Sequence, residues 1–526
     1  MKRRQFLKNT ITTAVATPLF LNGQAVSALS SPILEAILKN ADNDKILILI
    51  QLNGGNDGLN MVIPLDQYSN LMAARGNIAL PENEVYKLTN ETGLHPIMEG
   101  FHQLYEEEKL AVVQSVGYPN PNFSHFRATD IWTTGSAADQ FLATGWLGRY
   151  FNLNHPNYPS DYPNETTPDP LAISIGSIVS NTCQGPVANF SMAIKTLEEF
   201  NQLLTEGGGE IPDTPYGHEL EFLRLTMLQT NQYLETIQQA AENGSNLSPL
   251  YLDENRLAQQ LKIVAQLISG GLQTKVYVVN LGGFDTHASQ VEEEDTTVGV
   301  HADLLWLLSD AIAAFQDDLK RMDLEDRVVG MTFSEFGRRI QSNGSFGTDH
   351  GAAAPMMVFG TQVNSQVFGD NPEIPAEIDV KDSVPMQFDF RSVYGSILMD
   401  WFGITEDEVK SILFEDFQYI PILKSTATAI DNPDYVSGTS TIQFHNNYPN
   451  PFTSNTTIVF STAKAGVVTV SLFNAMGQLE KVLTSEFFAA GDHELTLSSK
   501  GLHNGTYYCR LQGNGEQRVK MIYCVK

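Results

Sequence analysis

The chain alternates between two apolar patterns. Short, nearly continuous apolar runs stand at 45–52, 110–116, 171–175, 275–281, 327–333 and 355–359. Runs of this length fit strands buried on both faces of a sheet. Elsewhere apolar residues recur at helical spacing, from Gly217 to Ala241, Glu254 to Ile268, His301 to Lys320 and Arg391 to Phe402. Strands alternating with helices predict a doubly wound α/β sandwich, a parallel sheet covered on both faces, over residues 45–423. In such sheets ligands collect at the carboxyl ends of strands. Two runs end there in glycines, Gly54-Gly55 and Gly282-Gly283.

The pattern changes near the end. Residues 424–443 shift toward Ser, Thr, Asn, Asp and Gly and read as a linker. Residues 444–526 carry short strand-like runs such as 457–460 and 467–473, the latter with Val468, Val470 and Leu472 alternating onto one face. These predict a small all-β sandwich. Gly477 and Gly491 stand where hairpin turns use positive φ.

Composition narrows the function. The 526 residues allow two to four domains at roughly 100–200 residues each. With 61 acidic residues against 32 basic ones, the net charge is -29. That argues against nucleic acid and against an anionic membrane surface as partners. An anionic substrate would need a local positive centre, such as a metal ion. The three cysteines, Cys183, Cys509 and Cys524, form no CxxC pattern and are too few for a disulfide framework. Spacing leaves open whether Cys509 and Cys524 pair or stay reduced.

Residues 1–30 read as a signal peptide: a basic start at Lys2-Arg3-Arg4, an apolar run from Ile11 to Leu21, then small residues to Ala28. The order Arg3-Arg4-Gln5-Phe6-Leu7-Lys8 resembles a twin-arginine signal. Lys2 stands where that motif has Ser or Thr, so ordinary Sec export stays open. No later segment reaches spanning length without a charge or a turn residue, and no transmembrane anchor is expected.

Four clusters follow or extend predicted strands. They hold Asp57, then Asp285 and His287, then Glu335, then Asp349 and His350. Singly, an Asp in a Gly-rich turn is a turn residue. Together, carboxylates and imidazoles at several strand ends can converge on one crevice. Such mixed ligands suit Zn²⁺, Mn²⁺ or Fe better than Ca²⁺. Asp285 and His287 share a side only where the backbone is extended, and His301 is an alternative partner. Within Asn122-Phe123-Ser124-His125-Phe126-Arg127, Ser124 reads first as a helix cap. Its functional reading is a nucleophile activated by a metal and by the positive helix end. Arg127, Arg338 and Arg339 are cations able to hold an anion, although each alone reads as a solvated surface residue.

These motifs, with Leu52 to Asn60 and Gly347 to Gly351, resemble an exported family of unknown function numbered fifteen-oh-one, over most of residues 45–405. That family is grouped with the alkaline phosphatase and sulfatase superfamily. The resemblance implies the same doubly wound sandwich and metal-assisted attack on a phosphate or sulfate ester. It implies two metals a few ångströms apart, zinc or manganese first among them. It implies Asp57 as the first-strand ligand, Asp285 with His287 and Asp349 with His350 as ligand pairs, and Glu335 where relatives have an Asp-His pair. Phe336 then replaces the His. Cys183 lies outside any Cys-x-Pro-x-Arg run, so a formylglycine sulfatase is not expected. At the other end, Tyr448-Pro449-Asn450-Pro451-Phe452, the Met476-Gly477-Gln478 turn, Gly505-Thr506-Tyr507-Tyr508 and the terminal Lys526 resemble a type IX secretion sorting domain. That implies the type IX machinery as partner and a surface or extracellular location. Two functions are expected to compete: a secreted metal-dependent hydrolase of phosphate or related esters, and a non-catalytic surface binding protein that keeps the fold.

Overall fold

A computed structural model describes residues 19–21, 24–26, 44–197, 230–424, 442–444 and 452–524, the last without 463, 475–478 and 514–515. The expected signal peptide lies outside the described residues, except for a short antiparallel pairing of Leu19–Leu21 with Gln24–Val26. Residues 425–441 of the expected linker, the helical run at 217–229, the start of the Tyr448-Pro449 motif and the Met476-Gly477-Gln478 turn also lie outside them. The chain divides into two compact units, Met1–Ser425 and Thr426–Lys526.

The first unit is built on one mixed sheet. Its strands are β1 (Ile46–Asn53), β2 (Leu110–Gly117), β3 (Ala172–Ile175), β4 (Ser191–Ile194), β5 (Val276–Gly282) and β6 (Val328–Ser334). After a hairpin, β7 (Arg338–Ser342) and β8 (Thr348–His350), come β9 (Ala354–Phe359), β10 (Val367–Phe368) and β11 (Phe388–Asp389). The sheet order is β10-β2-β9-β6-β1-β5-β3-β4, with β11 also on β2. β1 sits in the middle and pairs in parallel with β5 and β6. Alternation on β1 makes two cores: Ile46, Ile48, Ile50 and Leu52 enter one, Leu47 and Leu49 the other. The first core is covered by α1 (Glu99–Glu106), α4 (Arg256–Ser269) and α5 (Val300–Arg321). The second is covered by α2 (His125–Thr134), α3 (Trp146–Asn154) and α6 (Phe390–Phe402). This is a doubly wound α/β sandwich, as the alternating runs predict. Asn255 starts α4 by accepting from Leu257 and Ala258 backbone N–H groups, and Asp303 at one end of α5 with Lys320 and Arg321 at the other suits the helix dipole.

One strand departs from the expected parallel order. β9 runs antiparallel to both β6 and β2. The chain leaves β6 at its carboxyl end and turns through the β7–β8 hairpin without a crossover helix. It therefore re-enters the sheet from the same edge and must run backwards.

The second unit is a small all-β sandwich. A three-stranded sheet (Ile442–Phe444, Asn455–Thr462, Gly491–Ser498) faces a four-stranded one (Gly466–Asn474, Leu479–Phe488, Gly505–Gly513, Glu516–Cys524). Ile458, Phe460 and Leu497 from one sheet meet Val468, Val470, Leu472 and Leu511 from the other in one core. Gly491 takes φ +130°, as expected of a hairpin glycine. Cys183, Cys509 and Cys524 are all free and buried. Among the described residues no helix is long and apolar enough to cross a membrane.

Candidate metal centre

The carboxyl edge of the sheet gathers the chemistry. β1 runs out through Gly54 and Gly55, β5 through Gly283 to Asp285, and β6 directly into Glu335. β2 leads by a short loop to α2 and His125, and the hairpin returns Asp349 and His350 to the same edge. Gly54 is required there. Its φ is +125°, and a Cβ would lie 2.3 Å from the Asp285 backbone nitrogen.

Three imidazoles converge on Asp285. His350 Nε2 and His287 Nε2 each lie 3.2 Å from Asp285 Oδ1 and 2.9 Å from each other. His125 Nε2 lies 3.4 Å from Asp285 Oδ2. Ligand atoms of His125, Asp285 and His350 all fall within 4.8 Å of one another. The outer nitrogens of all three rings are engaged. His350 Nδ1 is 2.8 Å from the Phe123 carbonyl, His125 Nδ1 is 2.9 Å from Glu335 Oε1, and His287 Nδ1 is 3.2 Å from Asp349 Oδ1. Each outer Nδ1 thus has an acceptor for a proton, which leaves each Nε2 able to offer its lone pair to a cation; without one, His350 Nε2 hydrogen-bonds to Asp285 Oδ1 at 3.2 Å. The donor set of His125, Asp285 and His350, with His287 Nε2 beside it, suits a borderline divalent cation.

Electrostatics favour the same state. Burial would raise the Asp285 pKa, but hydrogen bonds from Arg338 and His350 hold it down at about 2. Burial pulls the His350 imidazole below its ordinary value. Phe336 packs its ring 4.9 Å from His125 and 4.4 Å from His350, centre to centre. It holds both rings without ligating anything.

Other residues expected at the site stand elsewhere or do something else. Asp57 is fully buried and apart from the cluster. Its two oxygens lie 2.9 and 2.8 Å from Arg75 Nη1, and Oδ2 also accepts from Gln290 Nε2 at 2.6 Å. Burial would raise its pKa, but the Arg75 charge lowers it. Arg338 is buried and donates to the carbonyls of Gly54, Gly55, Phe284 and Thr348 as well as to Asp285 Oδ1. It ties the loops together and has no face left for a substrate. Arg127 is committed to Asp130 and to carbonyls in 137–140. Glu335 and Asp349 reach the cluster only through the outer nitrogens of His125 and His287. His301 is buried in α5, where it meets Asn56 rather than Asp285. Ser124 precedes α2, is exposed and makes no side-chain cap hydrogen bond. Its neighbours His125 and Phe123 both touch the cluster.

His125 was not singled out by sequence reasoning. The signal was present in the Ser124-His125 step after a strand, but a lone His at a helix start looks ordinary.

Comparison with known proteins finds two family matches. Residues 235–412 match the family described as a protein of unknown function (DUF1501), and residues 446–525 match a secretion system C-terminal sorting domain. The motifs at 52–60 and 124–126 fall outside the first match. No curated protein matches the chain significantly. Similar solved structures include the PsFucS1 sulfatase of Pseudoalteromonas sp., at 12% identity over 90% of this chain and 88% of that one, with a TM-score of 0.34. They also include an alkaline phosphatase superfamily protein of Vibrio parahaemolyticus, at 9% identity over 84% and 83%, with a TM-score of 0.30. At such scores the cation centre stands on its own geometry alone. The sorting domain implies export and a surface or extracellular place. The chain thus matches the DUF1501 family over part of its α/β unit and a secretion system C-terminal sorting domain over 446–525.

Proposed function

We propose that the protein is a secreted metal-dependent hydrolase of phosphate or related esters, with a divalent cation, zinc or manganese, at the carboxyl edge of the sheet. The observation that carries this reading is the convergence of His125 and His350 with the Asp285 carboxylate, with His287 Nε2 close to Asp285 and His350. When bound, such a cation polarises an ester oxygen and lowers the pKa of a nearby hydroxyl or water. Ser124 is the nucleophile in this reading. It lies at the positive end of α2, one residue before His125, with its hydroxyl free of the cap role. Asp285 and the three imidazoles hold the cation, and the aromatic ring of Phe336 excludes water behind them.

A second reading is a binding protein without catalysis. The commitment of Arg127 and Arg338 to backbone carbonyls favours it, since neither guanidinium is left to hold a tetrahedral anion. Metal analysis of the purified chain, followed by turnover of p-nitrophenyl phosphate, its bis-ester and the sulfate, separates the two. Metal-dependent turnover that Ser124→Ala abolishes supports the hydrolase. Bound metal with no turnover of any ester favours the binding protein. Trace metal, with no loss of stability in chelator, sinks the metal centre itself.

A further inference from the structure

The acidic groups beneath the cluster are already engaged, Asp57 and Asp285 by guanidinium groups. Asp57, the acid at the end of β1, is buried against Arg75. Arg338, also buried, lies 2.7 Å from Asp285 Oδ1. Glu335 Oε1 accepts from the Gly54 N–H at 2.8 Å and faces His125 Nδ1 at 2.9 Å, while Oε2 turns toward Ser334 Oγ at 3.5 Å. Asp349 shares Oδ1 with His287 and places Oδ2 3.7 Å from Arg339 Nη1. A second divalent ion would need carboxylate oxygens that these groups hold. It would also sit close to the Arg338 charge, and like charges repel.

We infer that the centre is mononuclear. One borderline divalent cation is held by Nε2 of His125, His287 and His350 and by Asp285. Glu335 and Asp349 are positioning residues that fix the outer protons of His125 and His287. Arg75 and Arg338 supply the positive charge that a second ion would otherwise bring. This departs from the two metals that the family resemblance implies. It rests on the metal half of the reading above and is indifferent to whether an ester is cleaved.

The test is cation titration of the purified full-length chain after chelator treatment, with Zn²⁺ by calorimetry and Co²⁺ by visible absorption. One ion per chain is expected. Glu335→Gln and Asp349→Asn should keep that stoichiometry and the Co²⁺ spectrum while weakening affinity about 10–100-fold. His125→Ala should change the Co²⁺ spectrum, because it removes a ligand. Asp349 is half exposed, so its variant tests the positioning role without endangering the fold. Two ions per chain would overturn the inference and leave the metal reading intact. A Glu335→Gln spectrum altered as in His125→Ala would make Glu335 a ligand and also overturn it. No binding at all would remove both. One ion with no ester turnover would uphold the mononuclear centre and remove only the hydrolase.

Discussion

Asp57 shows how a residue's neighbours decide its role. An acid just after a central strand reads as a ligand, but Arg75, 18 residues on and in no motif, reaches back and takes it. Replacing Arg75 with Met would leave a buried carboxylate unpaired and should cost about 3–5 kcal/mol; urea denaturation of the variant checks this, and an unchanged midpoint would refute it. Two buried imidazoles nearby make a second prediction. Burial holds His301 down at about 4 and His95 at about 3, against about 6.5 in an unfolded chain. The unfolded state therefore binds protons that the folded state refuses. Their contribution is fully present above about pH 6.5 and falls as pH drops toward 4, by about 1.4 kcal/mol per pH unit for each ring. Denaturation midpoints between pH 7 and 4.5 should show this slope, and His301→Gln should cut it to roughly half, leaving the His95 part. Five of the residues that meet at the centre, Asp285, His287, Glu335, Asp349 and His350, were legible because each follows or extends a strand. What was not legible is which bind and which merely orient. That depends on which ring nitrogen faces inward, and His125 escaped because its helix-cap setting looks ordinary.

At the scale of elements, the site depends on how closely β1 and β5 approach at their ends. Gly54 makes that approach possible, since any Cβ there would strike the backbone of Phe284 and Asp285. Gly54→Ala should therefore splay the two strand ends. The expected outcome is a lower melting temperature together with weaker cation binding; a variant that binds as tightly as the parent would disprove the dependence. The sheet and its two helical layers were readable from apolar runs, because buried strands and amphipathic helices leave strong periodic signals. The reversed β9 was not, since strand direction is set by whether the connection crosses the sheet, and an apolar run is the same read either way. The β7–β8 hairpin leaves no periodic signal, because its three-residue strand Thr348–His350 is too short to show a period.

At the scale of the whole molecule, the α/β unit and the β-sandwich each own a core. We expect that removing residues 444–526 leaves the melting transition of the α/β unit in place and abolishes export to the cell surface. Fractionation of cells producing the shortened chain, with a thermal melt of the same protein, tests both halves. A chain that no longer folds would make the sandwich structural and weaken its sorting role. The buried thiols add a practical consequence. Cys183 lies in one unit, Cys509 and Cys524 in the other, and burial pushes both Cys183 and Cys509 up to about 12. While folded they are silent toward alkylating reagents; on opening they react. Each unit thus carries its own native reporter, and the breathing of body and tail can be timed separately by mass, without adding a label to either.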